Sequence, residues 1–108
     1  MPRRGEIWWA NLDPTVGSEI NKTRPCLIIS NSAVNQHRRT VVVVPLSSSP
    51  NAAPPMMVSV QCSGQPAVAV SDQVRAVAKE RLVSLIERLP AAELQAVEAA
   101  LREVLELD

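Results

Sequence analysis

Arg24 and Ser47 are the residues whose types and surroundings best suit chemistry. Arg24 stands directly before Pro25 and the apolar stretch Cys26-Leu27-Ile28-Ile29, and Ser47 directly follows the stretch Val41 to Leu46. Short apolar runs of this kind read as strands, so both polar groups are expected at strand ends, where a rigid rim lets side chains converge. A guanidinium offers a planar fork of donors suited to a phosphate and stays charged at any working pH, and a hydroxyl adds another donor. Plainer readings exist for each: Arg24 as the surface ion-pair partner of Glu19, and Ser47 as part of an ordinary Ser-Ser-Ser-Pro turn. The chain has one histidine, His37, and two cysteines, Cys26 and Cys62, without paired metal-ligand spacing. No zinc site is expected, and any catalysis is expected to work without a protein-held metal or other cofactor. Cys26, inside an apolar run, reads as a small buried hydrophobe.

The elements that must position these groups follow from valine-rich runs bounded by Pro, Ser, Asn and Gly. Strands are expected at Glu6 to Leu12, Pro25 to Ser30, Thr40 to Leu46, Met56 to Gln61 and Ala67 to Val70, with a sixth at Gln73 to Ala78. Residues 13 to 23 (DPTVGSEINKT) read as a loop, and Ser47 to Pro55 and Cys62 to Pro66 as turns. Leu27-Ile28-Ile29 and Val41 to Val44 are apolar at successive positions, so both faces of those strands must be covered. A small, strongly bent β-barrel with a helix or second subunit outside it meets that demand. From Ala91 the period changes: Leu94, Val97, Leu101, Val104 and Leu105 recur at helical steps, predicting a helix over 91–106 packed on the barrel. A shorter helix is expected at 82–88 (LVSLIER).

With 108 residues, 46% of them hydrophobic, the chain is expected to form a single domain over 1–108, and disorder is not expected. No apolar run approaches the roughly 20 residues of a membrane span, and Met-Pro-Arg-Arg opens without the apolar segment of a secretory leader, so a cytoplasmic protein is expected. The formal net charge of zero hides a dipole. Residues 1–82 carry nine bases against five acids, and residues 83–108 two bases against six acids. A +4 body with a −4 tail suits a polyanionic ligand, provided that the acidic face of 91–108 lies away from Arg24 and Ser47. Phe and Tyr are absent, so Trp8 and Trp9 are the only aromatic side chains on which a base could stack. Adjacent on one strand, they must point to opposite faces, one into the core and the other toward a subunit or a ligand. His37, with Arg38 and Arg39, reads either as a nucleic-acid backbone contact or as a solvated turn.

The stretch Arg4-Gly5-Glu6-Ile7-Trp8-Trp9, followed by Leu12-Asp13-Pro14-Thr15, Gly17-Ser18-Glu19 and Arg24-Pro25, resembles the amino-terminal signature of the MazF/PemK (Kid) toxin endoribonucleases. Val44-Pro45-Leu46-Ser47-Ser48 and Ser71-Asp72-Gln73-Val74-Arg75 resemble the family's second and third blocks, in order and at suitable distances. The resemblance implies an SH3-like barrel with a carboxy-terminal helix, usually a homodimer. It also implies metal-independent cutting of single-stranded RNA, in which the substrate's own 2′-hydroxyl attacks the adjacent phosphorus and leaves a 2′,3′-cyclic phosphate and a 5′-hydroxyl. By motif position, Arg24 stabilises the phosphorane and serves in proton transfer, and Ser47 stands where the family usually has threonine. Glu19 is the candidate base, and Asp72 is a further catalytic candidate. Asn21, Lys22, Thr23, Ser48, Gln73 and Arg75 are the expected RNA contacts. The chain departs from the pattern at Thr23, where some members carry a histidine, and at Ser18 and Val70, where Kid-type members carry a histidine and an arginine, so the acid and base stay open. The implied partner is a MazE-like antitoxin with an acidic, partly disordered tail. The competing expectations are a CcdB-like toxin that binds DNA gyrase without catalysis, and a plain SH3-like interaction module.

Overall fold

The computed structural model describes residues 1–48 and 56–107. Among the described residues there are seven strands: β1 (Glu6–Asn11), β2 (Thr23–Ile28), β3 (Thr40–Ser47), β4 (Met57–Cys62), β5 (Gln65–Val70), β6 (Arg75–Ala78) and β7 (Leu82–Arg88). Two helices accompany them, α1 (Ser32–His37) and α2 (Ala91–Leu105). The strands form one antiparallel sheet in the order β4-β5-β3-β2-β1-β7, with β6 also on β3.

β3 curls this sheet, because one of its sides serves two partners in succession. Thr40 to Val43 pair with β6, whereas Leu46 and Ser47 pair with β5. On its other side, Val43 to Pro45 pair with β2. Pro45, which has no N–H to donate, occupies the point where β3 passes from β6 to β5. Strand residues therefore alternate between two cores. Ile7, Leu27, Val44, Leu46, Val60 and Ala69 pack with Val97 of α2, while Cys26, Ile28, Val41, Val43 and Val77 pack with Ala10 and Leu12 on the opposite face. Burial of both faces, read from the unbroken apolar runs, is what the curl and α2 together achieve.

Gly5 ties the front end together. Its N–H donates to the Ile28 carbonyl, its own carbonyl accepts from Leu89 N–H, and its φ of +92° is one that L side chains rarely adopt. A Cβ there would stand 3.4 Å from Leu94 Cδ2, so α2 lies directly over this junction. The Arg4 guanidinium pairs with Glu98 and also donates to the Ile29 carbonyl, and Glu93 accepts from Gln61 N–H, which fixes α2 in its first turn and at its middle.

Several sequence expectations need correction. Residues 82–88 form strand β7, not a helix. Leu82, Leu85 and Ile86 have helical spacing, but the backbone is taken up by β1, with Trp9 opposite Ser84 and Glu6 opposite Arg88. β2 begins at Thr23 and ends at Ile28, so Thr23 and Arg24 lie within a strand and Ile29 and Ser30 beyond it. The segment holding His37 is helix α1, and His37 is exposed in its last turn. The Asn31 side chain caps α1 by accepting from Val34 N–H. Ser47 belongs to β3, and residues 49–55 of the expected turn lie outside the described residues.

Candidate active site

Arg24 sits on β2 opposite Ala10, and Ser47 closes β3 opposite Val68 of β5. Both open onto one pocket of about 390 Å³, which they share with Trp9, Thr23, Ser48 and the β4–β5 turn at Cys62, Ser63 and Gln65. The convergence expected of two strand-end groups is therefore present. β1 carries Trp9 to the same rim because Trp9 pairs with Pro25, next to Arg24. Trp9 is 41% exposed, whereas Trp8 turns to the opposite side, packs against the second core and donates its indole N–H to Glu6. Arg24 donates through Nε to the Asn21 carbonyl at 3.2 Å, a bond to neutral backbone, and it has no ion-pair partner among the described residues.

Glu19 is elsewhere. It lines a neighbouring pocket of about 480 Å³ together with Ser18, Ile20, Pro45, Asp72, Gln73 and Arg75. Its carboxylate accepts from Val16 N–H at 2.6 Å within its own loop, so neither the ion pair with Arg24, the alternative reading of that arginine, nor direct convergence with Ser47 is formed among the described residues. Pro45 lies between the two pockets: it lines the second, and Leu46 and Ser47 line the first. The candidate residues thus divide into an Arg24–Ser47–Thr23–Ser48 group and a Glu19–Asp72–Gln73–Arg75 group on either side of β3.

The second group does work on the β1–β2 loop that the residue types did not reveal. Gln73 accepts from Ile20 N–H at 2.7 Å and donates to the Ser18 carbonyl at 3.4 Å. Arg75 donates to the Leu12 carbonyl, and Arg81 to the carbonyls of Asn11 and Asp13. Asp13 in turn accepts from Lys22 N–H at 3.0 Å, closing the loop's neck while Lys22 takes a φ of +67°. Gln73 and Arg75, read as RNA contacts, are committed to main-chain atoms of this loop. Asn21 lends its carbonyl to Arg24, and the Lys22 side chain is exposed at the loop's end. Arg81 was not singled out in the sequence, where nothing distinguishes an arginine aimed at carbonyls from a solvated one.

The cysteines are both free and buried. Burial pushes the Cys26 thiol up to about 12, against a smaller opposing effect of the Arg75 charge, and its Sγ donates weakly to the Arg24 carbonyl. Cys62, in the wall of the Arg24–Ser47 pocket, is also raised, first by burial and then by the nearby Glu87 carboxylate. Glu87 accepts from Ser63 N–H and so brings one acid of the −4 segment up to this pocket. The division into a basic barrel and an acidic helix needs that correction, since Glu87 lies on β7. None of the residues lining the pocket comes from α2.

A family model described as PemK-like, MazF-like toxin of type II toxin–antitoxin system matches residues 3–105. The chain is 37% identical over 121 aligned positions to the Mycobacterium tuberculosis protein named Endoribonuclease MazF9, covering 99% of this chain and 98% of that one. In fold it is similar to a crystal structure of MazF from Deinococcus radiodurans, with a TM-score of 0.87, 26% identity and coverage of 97% of this chain and 96% of that one. It is also similar to a mycobacterial endoribonuclease solved in complex with its cognate antitoxin, with a TM-score of 0.84, 25% identity and coverage of 100% and 98%.

Proposed function

This chain belongs to the PemK-like, MazF-like toxins of type II toxin–antitoxin systems, and from that premise we propose that it is an endoribonuclease cutting single-stranded RNA at the Arg24–Ser47 pocket. The observation that carries the assignment of the site is the convergence of a guanidinium and a hydroxyl from two strand ends on one pocket with an exposed indole in its wall. Attack of the substrate's 2′-hydroxyl on the adjacent phosphorus raises the charge on the non-bridging oxygens. Arg24 meets that charge, and Ser47 supplies a neutral donor. The indole of Trp9 offers a face for a flanking base. A guanidinium, charged at any working pH, is a poor proton acceptor, so the 2′-hydroxyl proton goes to a carboxylate, and as the P–O5′ bond breaks the departing 5′-oxygen takes a proton from water to leave as the 5′-hydroxyl. Glu19 and Asp72, in the adjoining pocket, are the two carboxylates beside the site among the described residues, and for Glu19 to reach the scissile group the β1–β2 loop must release the Val16 bond.

The partners follow from the same premise: single-stranded RNA, a second copy of this chain, and an antitoxin such as the one bound to the mycobacterial relative. Val83 and Leu85, 64% and 51% exposed on the edge strand β7, supply apolar area for the second copy. A cytoplasmic setting suits an RNA-cutting protein, and among the described residues no helix is long and apolar enough to cross a membrane. Relatives named as endoribonucleases favour this reading over a gyrase-binding toxin. Incubating the protein with mixed RNA in EDTA is expected to yield discrete fragments ending in 2′,3′-cyclic phosphate and 5′-hydroxyl. Fragments with 3′-hydroxyl ends, or none, would overturn the proposal.

A further inference from the structure

At the opposite end of β1 from the Arg24–Ser47 pocket lies a groove of about 590 Å³, lined by Arg3, Arg4, Ser32, Asn35, Gln36 and Arg88 together with Met1 and Pro2. Chain geometry builds it. Arg3 and Arg4 precede β1, Arg88 ends β7 opposite Glu6, and Leu89 N–H bonds the Gly5 carbonyl, so the first and last residues of paired strands meet here. α1 forms the far wall, held by Asn35, which is 1% exposed and bonded to Ser30. Three arginines and no acid line the groove. The acids nearest in sequence or contact are all engaged: Glu98 with the Arg4 guanidinium, Glu6 with Arg3 N–H and the Trp8 indole, and Glu87 with Ser63 N–H. The guanidiniums of Arg3 and Arg88, by contrast, have no hydrogen-bond or ion-pair partner among the described residues.

We infer that this groove is a second binding site for the phosphodiester backbone of the RNA substrate, contacted by Arg3 and Arg88 and remote from the cut. The inference rests on RNA being the substrate. Two unpaired forks facing one groove suit successive phosphates better than they suit carboxylates on flexible side chains, because each fork can engage two oxygens of one group. The groove has no aromatic side chain, so it offers no stacking platform and holds backbone without reading bases. Three strand steps, about 10 Å at the usual rise, separate Glu6 at the start of β1 from Trp9 in the pocket wall, and Arg3 and Arg4 precede Glu6. An RNA confined to the cleavage pocket cannot reach the groove, whereas one running several nucleotides further can. Longer substrates therefore gain affinity from charge alone.

The test measures binding of fluorescent 2′-O-methyl oligouridines of increasing length by anisotropy, over a range of salt. The wild-type protein is expected to show a step in affinity at the length that spans both sites. In the Arg3→Gln, Arg88→Gln double variant the step disappears and the salt slope for long chains falls by about 1.4, the release expected for two single-strand phosphate contacts. Each single variant should lose about half of that slope, again by the single-strand value of about 0.7 per contact. An unchanged step, or an equal loss at every length, would overturn the inference. So would polyglutamate losing affinity for the double variant while the oligouridines do not, since the occupant would then be an acidic peptide. Cutting of mixed RNA by the same wild-type preparation reports separately on the proposed function. Cutting with an unchanged step sinks the groove alone, and a salt-dependent step without cutting sinks the nuclease assignment alone.

Discussion

A guanidinium and a hydroxyl at one pocket make separable contributions. Arg24→Ala removes the one charged side chain among the described residues that line the pocket and is expected to slow cleavage by about 100- to 1,000-fold, the cost of deleting one oxyanion donor. Arg24→Lys keeps the charge without the fork and should recover only part of the rate. Ser47→Ala is expected to be slow and Ser47→Thr to cut at least as fast as the natural protein, because threonine keeps the donor and stiffens χ1. Single-turnover rates on one RNA, with thermal melts to establish folding, decide these outcomes. Cys26 lies on the same strand as Arg24, and its raised thiol has a stability consequence of known sign. The neutral form is favoured by the fold, so its contribution is complete below the ordinary value of 9.0 and is lost as pH rises from there toward about 12. Thermal stability should fall more steeply above pH 9 in the natural protein than in Cys26→Ala, and iodoacetamide at pH 8 should leave Cys26 unmodified until the protein unfolds.

Among the elements, the loop between β1 and β2 carries the most consequence for function, because side chains from β6 and the turn after it hold it by its backbone. Gln73→Leu removes a partner from Ile20 N–H and Ser18 carbonyl together. A loss of about 1–2 kcal/mol is expected, with faster proteolysis confined to residues 12–22. The convergence of Arg24 and Ser47 was legible in the sequence because strand ends are readable from apolar runs. The commitment of Gln73 was not, since an amide that faces RNA and one that faces a main-chain N–H are the same residue type. Strand β7 was misread for a related reason: Leu82, Leu85 and Ile86 fit a helix locally, and only the free edge of β1 decides otherwise. α1, with six residues, is too short for hydrophobic periodicity to show, although Asn31 before Ser32 marks its cap.

For the molecule as a whole, charge placement matters more than the net value. The acids of α2 are spent partly on fixing the helix, through Glu98 to Arg4 and Glu93 to Gln61 N–H, and the pocket with Arg24 draws no lining residue from that helix. RNA and an acidic antitoxin tail are therefore expected to bind with affinities that both fall as salt rises, and titrations at two ionic strengths check this. Insensitivity of either affinity to salt would remove charge as the shared basis. The loop clamp reaches further than stability. Gln73, Arg75 and Arg81 grip carbonyls of Asn11, Leu12, Asp13 and Ser18 and the N–H of Ile20, atoms that nearly every residue type supplies. The side chains at Thr15, Val16 and Ser18 are therefore free to be rewritten without disturbing how the segment is held. A lineage could diversify which RNA sequences it meets by exchanging that stretch as a cassette, while inheriting its anchor unchanged.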